Sequence, residues 1–203
     1  AGMTSFDASA LSGNVTADLH AATGLATVKG GSGDDTITAT NLAANAVIEG
    51  GAGNDSLILQ GINSTLQPTM SGFENITADG GTLTLSGKNM SDFNSLTVKN
   101  DAQVTLANMD ASAFTVTASG LTAGSVLLSD ATALTYNTVS SKTDKTSDSI
   151  STTVAASKAT SATVNVGEYT EVGGTLNFGA AVDVAVNVAS GLGSDGKTEM
   201  TSF

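Results

Sequence analysis

Along most of the chain, apolar residues alternate with Thr, Asn or Ser in short runs. Examples are Leu25-Ala26-Thr27-Val28, Ser56-Leu57-Ile58-Leu59, Thr82-Leu83-Thr84-Leu85 and Leu96-Thr97-Val98. Further on come Val104-Thr105-Leu106, Phe114-Thr115-Val116-Thr117, Val126-Leu127-Leu128, Leu134-Thr135-Tyr136, Ala162 to Val166, Leu176-Asn177-Phe178 and Val182 to Val188. A period of two is the pattern of a strand with one buried face, and Gly, Asn, Asp or Ser ends most runs. No segment carries a sustained 3.6-residue stripe with helix caps, so the expected fold class is all-β.

The spacing narrows this further. Gly30-Gly31 recurs as Gly50-Gly51, Met70-Ser71-Gly72-Phe73 as Met90-Ser91-Asp92-Phe93, and Asp110-Ala111-Ser112-Ala113 as Asp130-Ala131-Thr132-Ala133, each 20 residues on. A shared offset of this size predicts a parallel β-solenoid (β-roll or β-helix), with coils of about 20 residues stacked on one another. A Greek-key sandwich also spaces short strands every 8–12 residues or so, but the evenness of the offset favours the solenoid. Residues 1–81 read as the first block of coils, and 82–203 as continuing solenoid or a separate β-rich assembly region. After Val139 the register blurs. The Ser/Thr-rich stretch 140–158, with Lys142, Lys145 and Lys158, is expected to be a long polar loop. Met3-Thr4-Ser5-Phe6 reappears as Met200-Thr201-Ser202-Phe203, as expected of a piece of a longer repetitive protein.

Composition fits a narrow core. Of the 203 residues 40% are hydrophobic but only 4% aromatic, and Trp is absent, so small aliphatic side chains must fill the interior. No apolar run approaches the roughly 18 residues of a membrane-spanning helix, and the first residues carry neither the basic nor the apolar region of a signal peptide. With no Cys there is no disulfide framework, thiol nucleophile or zinc finger. A net charge of −12, with every positive side chain a Lys, makes nucleic acid a poor partner and cations good ones.

Two segments concentrate the chemistry. Gly30-Gly31-Ser32-Gly33-Asp34-Asp35-Thr36-Ile37-Thr38 and Gly50-Gly51-Ala52-Gly53-Asn54-Asp55-Ser56-Leu57-Ile58 both fit the calcium-binding nonapeptide G-G-x-G-x-D-x-U-x in full. Glycines let such a turn aim its carbonyls at one point. The sixth-position Asp adds a charged oxygen, and the eighth residue anchors the following strand. A hard cation taking six to eight oxygens suits such a turn and its stacked neighbour. The candidate Ca2+ ligands are therefore Gly31, Ser32, Gly33, Asp34 and Asp35, with Gly51, Ala52, Gly53, Asn54 and Asp55. Glu74, 19 residues after Asp55, is a further candidate. Stacking would also bring carboxylates together, and like charges about 5 Å apart repel by roughly 1–3 kcal/mol; a divalent cation reverses that sign. Tandem nonapeptides would repeat every 18 residues on one side. The offset here is 20, and Ala39 to Asn45 between the copies holds only Asn41 and Asn45 as weak ligands, so one good site is expected between the two Gly-rich turns.

The paired motifs resemble the RTX (repeat-in-toxin) family over about Gly30 to Ile58. With Gly72-Phe73-Glu74-Asn75-Ile76, Ser5-Phe6-Asp7-Ala8-Ser9-Ala10 and the long Thr/Ala/Val-rich strands, the chain resembles RTX-type bacterial surface-layer (S-layer) proteins. That resemblance implies type I secretion, folding driven by extracellular Ca2+, and a crystalline coat on the bacterial cell surface. Its partners would be lattice neighbours of the same kind, with cell-surface polysaccharide as an anchor. RTX repeats also accompany adhesins, toxins and secreted enzymes, so a binding module or a non-catalytic segment is the alternative. An enzyme is not expected. His20 is the only His, and neither H-E-x-x-H nor G-x-S-x-G is present. Glu168-Tyr169-Thr170-Glu171 reads as a solvated strand end or a minor cation site.

Overall fold

The computed structural model describes residues 2–108, 113–120, 124–128, 132–140, 148–168, 170–172, 175–179 and 183–188. The first strands are β1 (Ser5–Asp7), β2 (Thr16–Asp18), β3 (Leu25–Lys29), β4 (Thr36–Ala39), β5 (Leu42–Glu49), β6 (Ser56–Gln60), β7 (Ser64–Leu66) and β8 (Thr69–Ser71). Then come β9 (Asn75–Asp79), β10 (Thr82–Ser86), β11 (Ser95–Lys99), β12 (Gln103–Ala107), β13 (Ala113–Ser119), β14 (Gly124–Leu128) and β15 (Ala133–Val139). The last are β16 (Asp148–Ile150), β17 (Thr152–Ala156), β18 (Ser161–Val166), β19 (Thr170–Val172), β20 (Leu176–Asn177) and β21 (Asp183–Val188). The only helical element among the described residues is a single 3₁₀ turn, Gly87–Asn89.

The strands wind into a parallel β-solenoid. One long sheet, ordered β2-β4-β6-β9-β11-β13-β15-β18-β21, runs through the molecule. Opposite it lie a four-stranded sheet, β1-β3-β5-β8, and a six-stranded sheet, β7-β10-β12-β14-β17-β20. Parallel pairing stacks like on like. In the long sheet Ile37, Leu57, Ile76, Leu96, Val116, Tyr136 and Val164 form one inward column. Leu66, Leu85, Leu106, Leu128 and Ala156 form another in the six-stranded sheet. Both columns are fully buried, and each large aliphatic residue contributes about 1.5–3 kcal/mol by leaving water. The alternating Thr, Ser and Asn positions face outward, as the period-two pattern predicts.

Where the register blurs, the coil changes length. Asn137 bonds to Thr117 across 20 residues, but Asn165 bonds to Asn137 across 28, and Asn187 to Asn165 across 22. The added residues include β16, which pairs with β19 in a small sheet of its own. The expected polar loop over 140–158 is corrected accordingly: Asp148–Ile150 and Thr152–Ala156 are strands, and residues 141–147 lie outside the described residues. Polar composition hid these strands because they bury few side chains, Ile150, Val154 and Ala156 among those described. Since β17, β18, β20 and β21 extend the same two sheets, the solenoid continues past residue 140. Two buried hydroxyls close the longer coil: Thr138 and Thr170 share a 2.9 Å hydrogen bond, and Thr170 donates to the Gly167 carbonyl. The repeats at Asp110 to Ser112, Asp130-Ala131 and Met200 to Phe203 lie outside the described residues.

Candidate metal centre

The two Gly-rich turns stack at one corner of the solenoid, each leading into a strand of the long sheet: Thr36 of β4 pairs with Ser56 of β6. The Asp ahead of each strand is drawn inward, and Asp35 and Asp55 are 1% and 0% exposed. Two ladders of hydrogen bonds run down the corner. In the inner one, the Val15 amide donates to Asp35 Oδ1 (2.8 Å), the Asp35 amide to Asp55 Oδ1 (2.7 Å) and the Asp55 amide to Glu74 Oε2 (2.8 Å). In the outer one, the Asp34 amide donates to Asn14 Oδ1 and the Asn54 amide to Asp34 Oδ1, while Asn75 Nδ2 donates to Asn54 Oδ1. In the inner ladder each coil thus supplies the carboxylate oxygen that satisfies the backbone of the coil before it. Charge-assisted bonds of this kind are stronger than neutral ones.

The predicted residues therefore do converge. Gly31, Ser32, Gly33, Asp34 and Asp35 form one turn, Gly51, Ala52, Gly53, Asn54 and Asp55 the next, and Glu74 takes the Asp35/Asp55 position in the third. Glu49 does not join them; it pairs with Lys29 at 2.8 Å on the four-stranded sheet. His20 is exposed and paired with Asp18. Glu168 is exposed, while Tyr169 and the Glu171 side chain lie outside the described residues. Ala39 to Asn45 spans the end of β4, a bend at Thr40 and the start of β5 at Leu42.

The least satisfied charge of the corner is Asp55. Burial pushes its carboxyl above the usual carboxylate range; the Asp35 amide opposes this, but Asp35, Glu74 and Asp34 all add to the rise. Asp55 Oδ2 is buried and has no hydrogen-bond partner. Gly50 forms the wall of its cradle. A Cβ there would lie 1.8 Å from the Gly72 carbonyl oxygen and 2.6 Å from Asp55 Oδ2, so only Gly fits. An orphaned carboxylate oxygen beside a backbone carbonyl oxygen, amid further carboxylates, is a donor set suited to Ca2+. Among the described residues no three His, Cys, Asp or Glu side chains cluster as a ready-made cage.

Sequence reasoning passed over two contributors, Asn14 and Asp92. Asn14 precedes Asp34 by the coil offset, and Asp92 Oδ2 accepts the Gly72 amide from one coil further on (3.1 Å). The 20-residue offset, applied to every Asx rather than only to full motifs, finds both.

The chain matches no protein-family model, no curated protein and no solved structure at a significant level. Its class is that of a parallel β-solenoid with an acidic, glycine-rich corner.

Proposed function

We propose that the chain is a structural segment of a calcium-dependent, self-assembling bacterial surface layer, exported by type I secretion and folded by Ca2+ outside the cell. The observation that carries this reading is the stacked carboxylate ladder with the orphaned Asp55 oxygen. At low calcium the acids of this corner repel one another. Outside, Ca2+ binds the folded coils and not the unfolded chain, and each site contributes about 2.7 kcal/mol at a hundredfold excess over its Kd. A few kcal/mol is a large share of a typical folding free energy. Copies of the same chain are the main partners, with cell-surface polysaccharide as the anchor. The solenoid is a scaffold rather than a catalyst in this reading.

A second reading, an RTX adhesin or binding module, draws on the outer face of the long sheet. From Thr36 to Asn165 the outward positions flanking the central inward column are Thr, Ser, Asn or Ile58, without a charge, in a chain of net charge −12.

Titrating Ca2+ into chelator-treated protein, with far-UV circular dichroism and light scattering recorded together, separates the two. A gain of β-structure followed by growth into ordered sheets is expected. Folding without assembly shifts the reading to the binding module, and no response in either signal removes the calcium reading.

A further inference from the structure

The nonapeptide is complete in both turns, yet its two copies present different chemistry. In the first, both carboxylate oxygens of Asp35 are used: Oδ1 accepts the Val15 amide and Oδ2 the Gly31 amide. In the second, Oδ1 of Asp55 accepts the Asp35 amide, but Gly51 lies at φ +115° and no N–H reaches Oδ2. Gly31 does not take a positive φ.

Both turns bring a carbonyl of the next coil toward the carboxylate. The Gly50 oxygen and Asp35 Oδ2 lie 2.1 and 2.4 Å from the point a Gly30 Cβ would occupy; the Gly72 oxygen and Asp55 Oδ2 hold the same relation to Gly50. At Asp35 the Gly31 N–H supplies positive charge beside this pair. At Asp55 two acceptors come close together and no donor reaches Oδ2, a costly arrangement in a buried site.

We infer that this corner holds a single divalent cation, seated between Asp55 and the Gly72 carbonyl, and that the Asp35 carboxylate is closed by the Val15 and Gly31 amides and takes none. The inference rests on the calcium reading and alters where the ion sits: not between the two Gly-rich turns, but between the second of them and the third, motif-free turn. Glu74, which accepts the Asp55 amide, supplies the second carboxylate there, and water completes the six to eight oxygens. The site thus uses a coil that the nonapeptide does not mark.

Calorimetric titration with Ca2+ of the whole chain and two variants tests this. Asp55→Asn is expected to remove one binding step or weaken it by about a hundredfold or more, since it deletes the buried carboxylate oxygen that has no hydrogen-bond partner. Asp35→Asn is expected to weaken that step by no more than about threefold, through the loss of a neighbouring charge. Equal losses in both variants overturn the inference while leaving the calcium reading intact. No binding by the unaltered chain overturns the calcium reading itself. Should Asp35→Asn fail to fold, Mn2+ added to the unaltered chain replaces it as the probe. Paramagnetic broadening centred on the Gly50, Asp55 and Gly72 amides supports the assignment, and broadening centred on Gly31 to Gly33 overturns it.

Discussion

The corner that leads into the long sheet is built in two ways along the same molecule. In the coils at Gly30 and Gly50 it is a glycine-rich turn with buried carboxylates. From the third coil it shortens: Ser71-Gly72-Phe73-Glu74 reaches the sheet at Asn75 with fewer residues than Gly50 to Asp55 uses to reach Ser56. Phe73 then turns into the core, fully buried, and Phe93 and Phe114 follow, stacked edge to face at 5.1 Å. One solution closes the corner with hydrogen bonds and charge, the other with apolar area. On the calcium reading, the first makes stability depend on what the solvent contains, and the second does not.

The largest effect expected from breaking this contrast comes from the apolar corner. Phe114→Ala is expected to cost about 3–5 kcal/mol in urea unfolding, equally in calcium and in chelator. Gly50→Ala drives a Cβ onto the Gly72 carbonyl and is expected to cost about 1–3 kcal/mol in chelator. It should cost more in calcium, because the cradle is filled. Asp55→Asn is expected to change sign with conditions. In chelator it stabilises by about 1–2 kcal/mol, since a desolvated like charge disappears and the new amide donates toward the Gly72 oxygen. In calcium it destabilises.

A smaller effect follows from pH. The folded pKa of Asp55 is raised by burial and by Asp35, Glu74 and Asp34, so the folded chain holds this proton more tightly than the unfolded one. In chelator, stability therefore rises as pH falls from neutral through that raised pKa, and Asp55 adds nothing more below the ordinary Asp range. Asp79 behaves oppositely. Burial pushes it up, but Asn100, Lys99 and Gln60 outweigh that and hold it below the usual range. Its contribution is present above the ordinary Asp pKa and is lost as pH falls through the lowered one. Urea midpoints in chelator should thus pass through a maximum at mildly acid pH, and Asp55→Asn should remove the rise on its alkaline side. The smallest effect belongs to Lys99→Met. Its 3.1 Å pair with Asp79 is partly exposed on the Lys side, and its loss should cost under about 1 kcal/mol.

The long sheet was legible because its coil length holds at 19–20 residues from Thr16 to Thr135, which keeps Ile37, Leu57 and Ile76 in phase. It ceased to be legible where Asn137 and Asn165 stand 28 apart; an inserted strand shifts the phase without changing the local alternation. The stacking of the candidate residues at one corner was legible from Gly and Asp spacing. The difference between Asp35 and Asp55 was not, since Gly31 and Gly51 are the same residue in the same motif and differ only in φ. Nor was the part played by Gly72, whose carbonyl comes up beside Asp55 Oδ2 without any side chain to announce it.

Hydrogen–deuterium exchange, resolved by residue and recorded in calcium and in chelator, tests the contrast most directly. Ca2+ is expected to slow exchange at the amides of Asp35, Asp55 and Gly72 and the strands they lead into, while Val98, Leu106 and Val116 in the apolar-cornered coils stay nearly unchanged. Protection that is uniform along the solenoid, or the same in both solvents, would contradict a calcium-governed corner on a calcium-independent core.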